Sequence, residues 1–388
     1  MPFIPYSCQN ITREDIEAVT AVLSSEFLTQ GPIVPAFEQA FAELHHVTHA
    51  VAVVNATAGL HIACLALGIG PESRVWTSPN SFLASANCAR YCGATIDFVD
   101  IDARTRNMSI DALRVKLESA QQHDCLPQLL IPVDFAGFPS DLREMRELAD
   151  QYNFQILEDA SHATGASYLN APVGSAYADV TVFSFHAVKI VTTGEGGMVT
   201  TQSDDLARKL RLLRSHGMTR DPEKMDHPSD EAWYYEQQLL GFNYRLTDLQ
   251  AALGLSQLKR LVSLHAQRLT LANRYDQLLA ELPVLRPLRL GDRASAWHLY
   301  VIEIDDARTS QGRAPVFKRL REALIGVNVH YIPIHTQPYY TRLGFKRGDF
   351  PVAERYYERA LSLPLFPAMT EDQQSTVVEA LCAALIAN

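Results

Sequence analysis

The chain has 388 residues, more than one small core usually organises, so a large domain with a smaller one is expected. Its composition, 47% hydrophobic and 20% charged, is that of an ordinary globular protein, and a net charge of −10 argues against a nucleic-acid or anionic-membrane surface and for a small or nucleotide-linked ligand. The opening MPFIPYSCQN has neither the basic stretch nor the apolar core of a signal peptide, and no apolar run approaches the roughly 18 residues of a spanning helix.

A cytoplasmic protein without a membrane segment is therefore expected. Six cysteines, Cys8, Cys64, Cys88, Cys92, Cys125 and Cys382, are scattered along a long chain, which fits reduced thiols.

In chain order, apolar and β-branched runs alternate with helical patterns. HAVAVVN (49–55), RVWTSP (74–79), ATIDFVDI (94–101), QLLIPVDF (128–135), FQILEDA (154–160), ADVTVFSF (178–185) and GGMVTT (196–201) read as strands. AGLHIACLALG and SDLREMRELADQY between them read as helices. This alternation predicts an α/β domain with a seven-stranded, mostly parallel sheet buried on both faces. The stretch 221–232, DPEKMDHPSDEA, predicts an exposed loop. From Thr247 a long helix runs to Pro283, opened by a Thr247/Gln250 capping box and carrying Leu249, Leu253, Leu261 and Leu264 on an apolar stripe. Beyond it AWHLYVIEI, FKRLREALIG and VNVHYIPIH predict a smaller α+β domain, giving units 1–255 and 256–388.

Ligands of open parallel sheets gather at the carboxyl ends of the strands. There the sequence offers Asn55 and Thr57, Phe82, Asp134, Asp159 with His162, and Ser184 through Lys189. Lys189 stands between Val188 and Ile190 and precedes small residues, a setting that would desolvate its amine and make it nucleophilic, although a surface lysine would read the same locally. One carboxylate of Glu158 and Asp159 could pair with a ring nitrogen, and equally could cap a turn. Thr57 opens a helix whose free N–H groups favour a phosphate, or are merely capped. The glycines of TTGEGG lack the spacing and the following helix of a dinucleotide site. HHVTH (45–49) and HYIPIH (330–335) lack the partners of a metal site, so no metal is expected.

Seven motifs in order, LTQGPIVPAFEQAF, NATAGLHIACLALGIGP, EDASHATG, SFHAVKIVTTGEGG, GFNYRLTDLQAALG, HYIPIH and LSLPLFP, resemble the nucleotide-sugar aminotransferases of the fold-type I pyridoxal phosphate (PLP) class, the DegT/StrS type. The resemblance spans nearly the whole chain. It implies that Lys189 holds PLP through its amine, Asp159 faces the pyridinium nitrogen, Phe82 stacks on the ring and His162 approaches the 3′ oxygen. It further implies that Thr57, Ala58 and Ser184 hold the phosphate, that Asn243 reaches in from a second subunit of a homodimer, and that Tyr6, His330, Tyr331 and His335 line the substrate side. Ala187 stands where the family often has proline, and Lys189 stands where dehydratase relatives carry histidine. WYYEQQLLGFNYRLTDLQAALGLSQL and AWHLYVIEI look most similar to the enzymes that use L-glutamate and a UDP-linked 4-keto sugar to make UDP-4-amino-4,6-dideoxy-N-acetyl-β-L-altrosamine for pseudaminic acid. Amination of another UDP-, dTDP- or GDP-linked keto sugar, or PLP binding without turnover, are the alternatives.

Overall fold

The structure, a computed structural model, describes residues 2–227, 229 and 231–386. Seven strands form the main sheet: β1 (His49–Val53), β2 (Arg74–Thr77), β3 (Thr95–Phe98), β4 (Leu129–Ile131), β5 (Gln155–Asp159), β6 (Val180–Ser184) and β7 (Gly197–Thr201). Their spatial order is β1-β7-β6-β5-β4-β2-β3, parallel throughout except that β7 runs antiparallel to both of its neighbours. Every residue of β6 and β7 is buried, including Thr181, Thr200 and Thr201, as in strands covered on both faces.

The helix Ala56–Ala66 packs on the centre of this sheet and is almost wholly buried, which explains why its apolar residues surround it rather than forming a stripe. Asn55 caps its start by accepting a hydrogen bond from the Ala58 N–H at 2.8 Å.

The expected long helix is two helices, Asp248–Leu258 and Leu261–Leu278. The capping box at Thr247 and Gln250 is present in both directions. The break falls at Arg260, whose backbone leaves the helical region (φ −106°, ψ 3°) while its guanidinium reaches Asn10 and Asp15 at 2.7 and 2.6 Å. The expected leucine stripe is correspondingly interrupted. Leu261 and Leu264 are buried, but the first helix buries its small residues, with Gly254 against the Phe37 ring where a Cβ would come within 2.6 Å.

After the second helix, β8 (Val284–Leu285), β9 (Tyr300–Ile304) and β10 (Ala360–Leu363) form an antiparallel sheet. The helices Arg313–Glu322 and Glu371–Ile386 join it through a second core that includes Tyr275, Tyr300, Leu320 and Leu381. The N-terminal segment also runs to this core: Ile4 exchanges backbone hydrogen bonds with Leu324 and Gly326 and is buried there. Within the loop expected at 221–232, Pro222–Lys224 form an exposed single turn, and Pro228 and Asp230 lie outside the described residues. No helix among the described residues is long and apolar enough to cross a membrane.

Candidate active site

A cavity of about 680 Å³ opens at the carboxyl ends of β5 and β6, between the main sheet and the segments 328–331 and 2–8. It brings together Thr57, Phe82, Asp159, His162, Ser184, Lys189, Tyr6, His330 and Tyr331, residues spread over more than three hundred positions of sequence.

One end of the cavity is a helix start. The Asn55 side chain takes the Ala58 N–H, so Ala58 does not line the cavity; Ala56 and Thr57, the first two helical residues, do. Their N–H groups point out of the helix end with its positive dipole, a ready anion cradle. The last glycine of the TTGEGG turn is required by the same place. Gly197 opens β7 so close beneath the helix that a Cβ would lie 2.8 Å from the Ala56 nitrogen.

Ser184 ends β6 beside this cradle and is 6% exposed. Lys189 follows on the loop between β6 and β7, its amine lowered to about 8 by desolvation, with the Asp159 charge opposing that fall. The loop is braced from the other side, where Ser7 Oγ donates to the Val188 carbonyl at 3.2 Å. Asp159 ends β5 and is 4% exposed. Its carboxylate accepts from Ser85 Oγ at 2.5 Å and from the Ser161 N–H at 3.1 Å, so its direction is locked by two donors.

The opposite side is built of imidazoles and a phenol. The Ala136 N–H donates to His162 Nδ1 at 3.3 Å, which leaves the ring proton on Nε2, 3.1 Å from Tyr331 Oη. With His162 donating, the Tyr331 hydroxyl keeps its own proton free. His330 is held by Ser362 Oγ at 2.7 Å from Nδ1, and its backbone carbonyl accepts from Tyr356. Burial, with the Lys189 charge nearby, holds His162 well below the usual imidazole range and His330 at about 3; burial pushes Tyr331 up.

Besides Ala58, one expected position falls elsewhere. His335 is fully buried, its Nε2 2.9 Å from Glu354 Oε1 and its ring against Phe350, so the second histidine of HYIPIH braces the fold and does not reach the cavity. Asn243 is exposed, paired through its backbone with Ser215, and lies outside the cavity of its own chain.

Sequence reasoning missed His298 and Ser85. His298 is 3% exposed and lines the cavity with its ring 4.5 Å from that of His162. It is placed by the buried Arg268 guanidinium, which donates to the carbonyls of Trp297, His298 and Leu365 at 3.1, 3.3 and 3.1 Å. The histidine within AWHLY could have been noticed as a polar interruption of a strand, but the arginine that sets it lies 30 residues away. HHVTH has structural employment: His45 stacks on Phe41 and bonds the Val173 carbonyl, and His49 meets Asp204.

An amine, a locked carboxylate, an exposed aromatic ring at Phe82 and a helix start with free N–H groups make one set that fits PLP: a carbonyl for the amine, a ring nitrogen for the carboxylate, a ring face for Phe82 and a phosphate for the helix.

The profile of the DegT/DnrJ/EryC1/StrS aminotransferase family matches residues 9–382. The spore coat polysaccharide biosynthesis protein SpsC of Bacillus subtilis is 41% identical over 98% of this chain and 96% of its own. Helicobacter pylori PseC, an aminotransferase involved in the biosynthesis of pseudoaminic acid, superposes with a TM-score of 0.88 at 31% identity over 99% of both chains. Spr1654 of Streptococcus pneumoniae in its PLP form superposes with a TM-score of 0.87 at 28% identity over 98% of both chains.

Proposed function

Because the chain belongs to the DegT/DnrJ/EryC1/StrS aminotransferase family, and is a PLP-dependent sugar aminotransferase, we propose that it moves the amino group of L-glutamate to C4 of a UDP-linked 4-keto-6-deoxy-N-acetylhexose. The product is UDP-4-amino-4,6-dideoxy-N-acetyl-β-L-altrosamine, on the route to pseudaminic acid. The observation that carries this reading is the gathering of Lys189, Asp159 and the helix start in one cavity, in a chain similar end to end to PseC.

Bound PLP supplies an electron sink that lets a proton leave the carbon bearing the amino group. The chain supplies the rest. Lys189 Nζ would hold the cofactor, and its free amine would be the base that lifts the α-proton of glutamate and, with the keto sugar, would deliver a proton in the reverse sense. A lysine lowered to about 8 is suited to both directions near neutral pH. Asp159, held by Ser85 and the Ser161 N–H, would pair with the ring nitrogen. Thr57 and Ser184 would hold the phosphate together with the N–H groups of Ala56 and Thr57, while Ala58, its N–H bonded to Asn55, serves the helix cap instead. Phe82 would cover the ring and His162 would approach its 3′ oxygen side. Tyr6, His330 and Tyr331 border the sugar, and His335 acts only through the fold.

In the same reading the enzyme is a homodimer in which Asn243 of each subunit enters the other's cavity, and the chain divides into a PLP-binding unit and a smaller unit near residue 255. A second reading is favoured by the higher identity to SpsC: the acceptor is a different nucleotide-linked keto sugar destined for a surface polysaccharide.

The deciding experiment incubates the PLP-loaded protein with L-glutamate and UDP- and dTDP-linked 4-keto-6-deoxy sugars and follows product mass. Replacement of keto oxygen by amine, fastest on the UDP-N-acetyl-β-L-arabino 4-keto sugar, supports the pseudaminate reading. Preference for another sugar transfers the assignment to the second reading.

A further inference from the structure

We propose that Glu158 carries a proton, which it donates from Oε1 to Asp134 Oδ2, and that this carboxyl–carboxylate bond sets His162 in its orientation toward the cavity, making Glu158 and Asp134 positioning residues for amino transfer. The functional half rests on the role given to His162 above; the chemical half rests on hydrogen-bond accounting alone.

Neighbours on a strand point to opposite faces, so Asp159 looks into the cavity while Glu158 looks into the body of the protein. Glu158 and Asp134 are both fully buried, and the parallel pairing of Val133 with Asp159 sets them on the same face of adjoining segments, where their carboxyls interact. One oxygen of each is conventionally satisfied: Asp134 Oδ1 accepts from the Ser140 N–H at 2.8 Å, and Glu158 Oε2 accepts from Thr181 Oγ1 at 2.7 Å. The other oxygen of each, Asp134 Oδ2 and Glu158 Oε1, is buried without a donor among the described residues. Two ionised carboxylates can only accept, and two bare charges in contact away from water repel without compensation. A single proton between the two orphan oxygens satisfies both. It belongs on Glu158, because the Ser140 N–H bonds Asp134 at 2.8 Å, whereas the Gly174 N–H favours charge on Glu158 from outside hydrogen-bonding geometry. Burial and the Asp134 charge push the Glu158 carboxyl well above the usual range, and burial raises Asp134 to about 6, with the neighbouring Asp159 charge acting in the same sense.

The consequence reaches the cavity through a short loop. Asp134 donates its N–H to the Asp159 carbonyl at 3.1 Å and accepts from the Gly137 N–H at 3.1 Å. Between these anchors Ala136, at a left-handed φ of 60°, presents the N–H that fixes His162 Nδ1 as an acceptor. Losing the shared proton would set two charges against each other at the root of this loop, withdraw the Ala136 N–H and release the tautomer that lets His162 donate to Tyr331.

Infrared spectroscopy of the PLP-loaded enzyme at neutral pH tests the proton directly. The carbonyl stretch of a buried protonated carboxylic acid, shifted by deuterium exchange, is expected in the wild type and absent in Glu158→Gln. No such band in the wild type, or a band that survives in Glu158→Gln, overturns the proton assignment. The positioning role is read from the pH titration of the bound cofactor's visible absorption and from the single-turnover rate with L-glutamate, neither of which needs a sugar acceptor. Glu158→Gln keeps a donor toward Asp134 and an acceptor for Thr181, so both readouts stay within about twofold of wild type. Glu158→Leu loses the donor: the rate falls about tenfold, as for one lost buried hydrogen bond, and the titration midpoint moves. In a His162→Asn background the leucine change adds little, because the two act in series. Equal losses in the Gln and Leu variants, or full additivity with His162→Asn, overturn the role. Should Glu158→Leu not fold, the infrared band and the Gln variant decide.

Discussion

The two walls of the cavity differ in what they do with charge. The wall formed by strand ends keeps charge and fixed dipoles: Lys189, Asp159 with its two donors, and the N–H groups at the start of the helix Ala56–Ala66. The wall formed by His162, His298, His330 and Tyr331 is titratable in composition, yet burial and the nearby lysine hold all three imidazoles neutral. Desolvation is common to both walls. What separates them is the partner: a carboxylate given donors remains an anchor for a cation, whereas an imidazole given no carboxylate loses its proton and becomes a neutral donor of fixed direction. The first wall is suited to holding a charged cofactor, the second to directing hydrogen bonds at neutral oxygens.

Breaking the charged wall should cost most. Lys189→Ala is expected to lower kcat by about 10⁴-fold, since both proton transfers and the cofactor linkage are lost; product mass and the cofactor's visible band report it. Asp159→Asn keeps the shape and removes the charge, and a loss of about 10²- to 10³-fold in kcat follows if the carboxylate stabilises a protonated ring. Cofactor uptake by apoprotein tests the lysine itself. Only the neutral amine is nucleophilic, so with the pKa at about 8 the stopped-flow rate should climb about tenfold per pH unit below that value and level off above it. A climb continuing to the ordinary lysine value of 10.5 would show that the amine is not desolvated. Gly197→Ala pushes a methyl toward the Ala56 nitrogen and should weaken PLP binding about tenfold by equilibrium dialysis, with little change in bound-state chemistry. The smallest effect belongs to the neutral wall: Tyr331→Phe should reduce kcat/KM for the sugar by about threefold to tenfold while leaving the glutamate half-reaction nearly intact. A larger effect on glutamate than on sugar would reverse the division of labour between the walls.

The charged wall was the legible one. Each of its members follows a strand directly, and the seven strands were visible as β-branched runs broken by helical patterns, so Lys189, Asp159, Ser184 and Thr57 could be placed before any coordinates. The neutral wall was legible only in fragments. His330 and Tyr331 stood in a motif, but so did His335, which the fold spends on Glu354, and His298 went unnoticed.

What the sequence determined by itself was what depends on near neighbours: strand and helix periodicity, the Thr247 capping box, and the residues that must emerge at strand ends. What the tertiary structure decided was everything that depends on distant ones. Arg260 breaks a helix because Asn10 and Asp15 wait for it 250 and 245 positions away. His162 has its tautomer because a backbone N–H 26 residues earlier is turned toward it. Lys189, His298 and His330 have their protonation because chain segments far apart in sequence exclude water around them. Periodicity is a property of consecutive residues and survives in a string of letters; desolvation and hydrogen-bond direction belong to the closed surface, and exist only once the chain has folded back on itself.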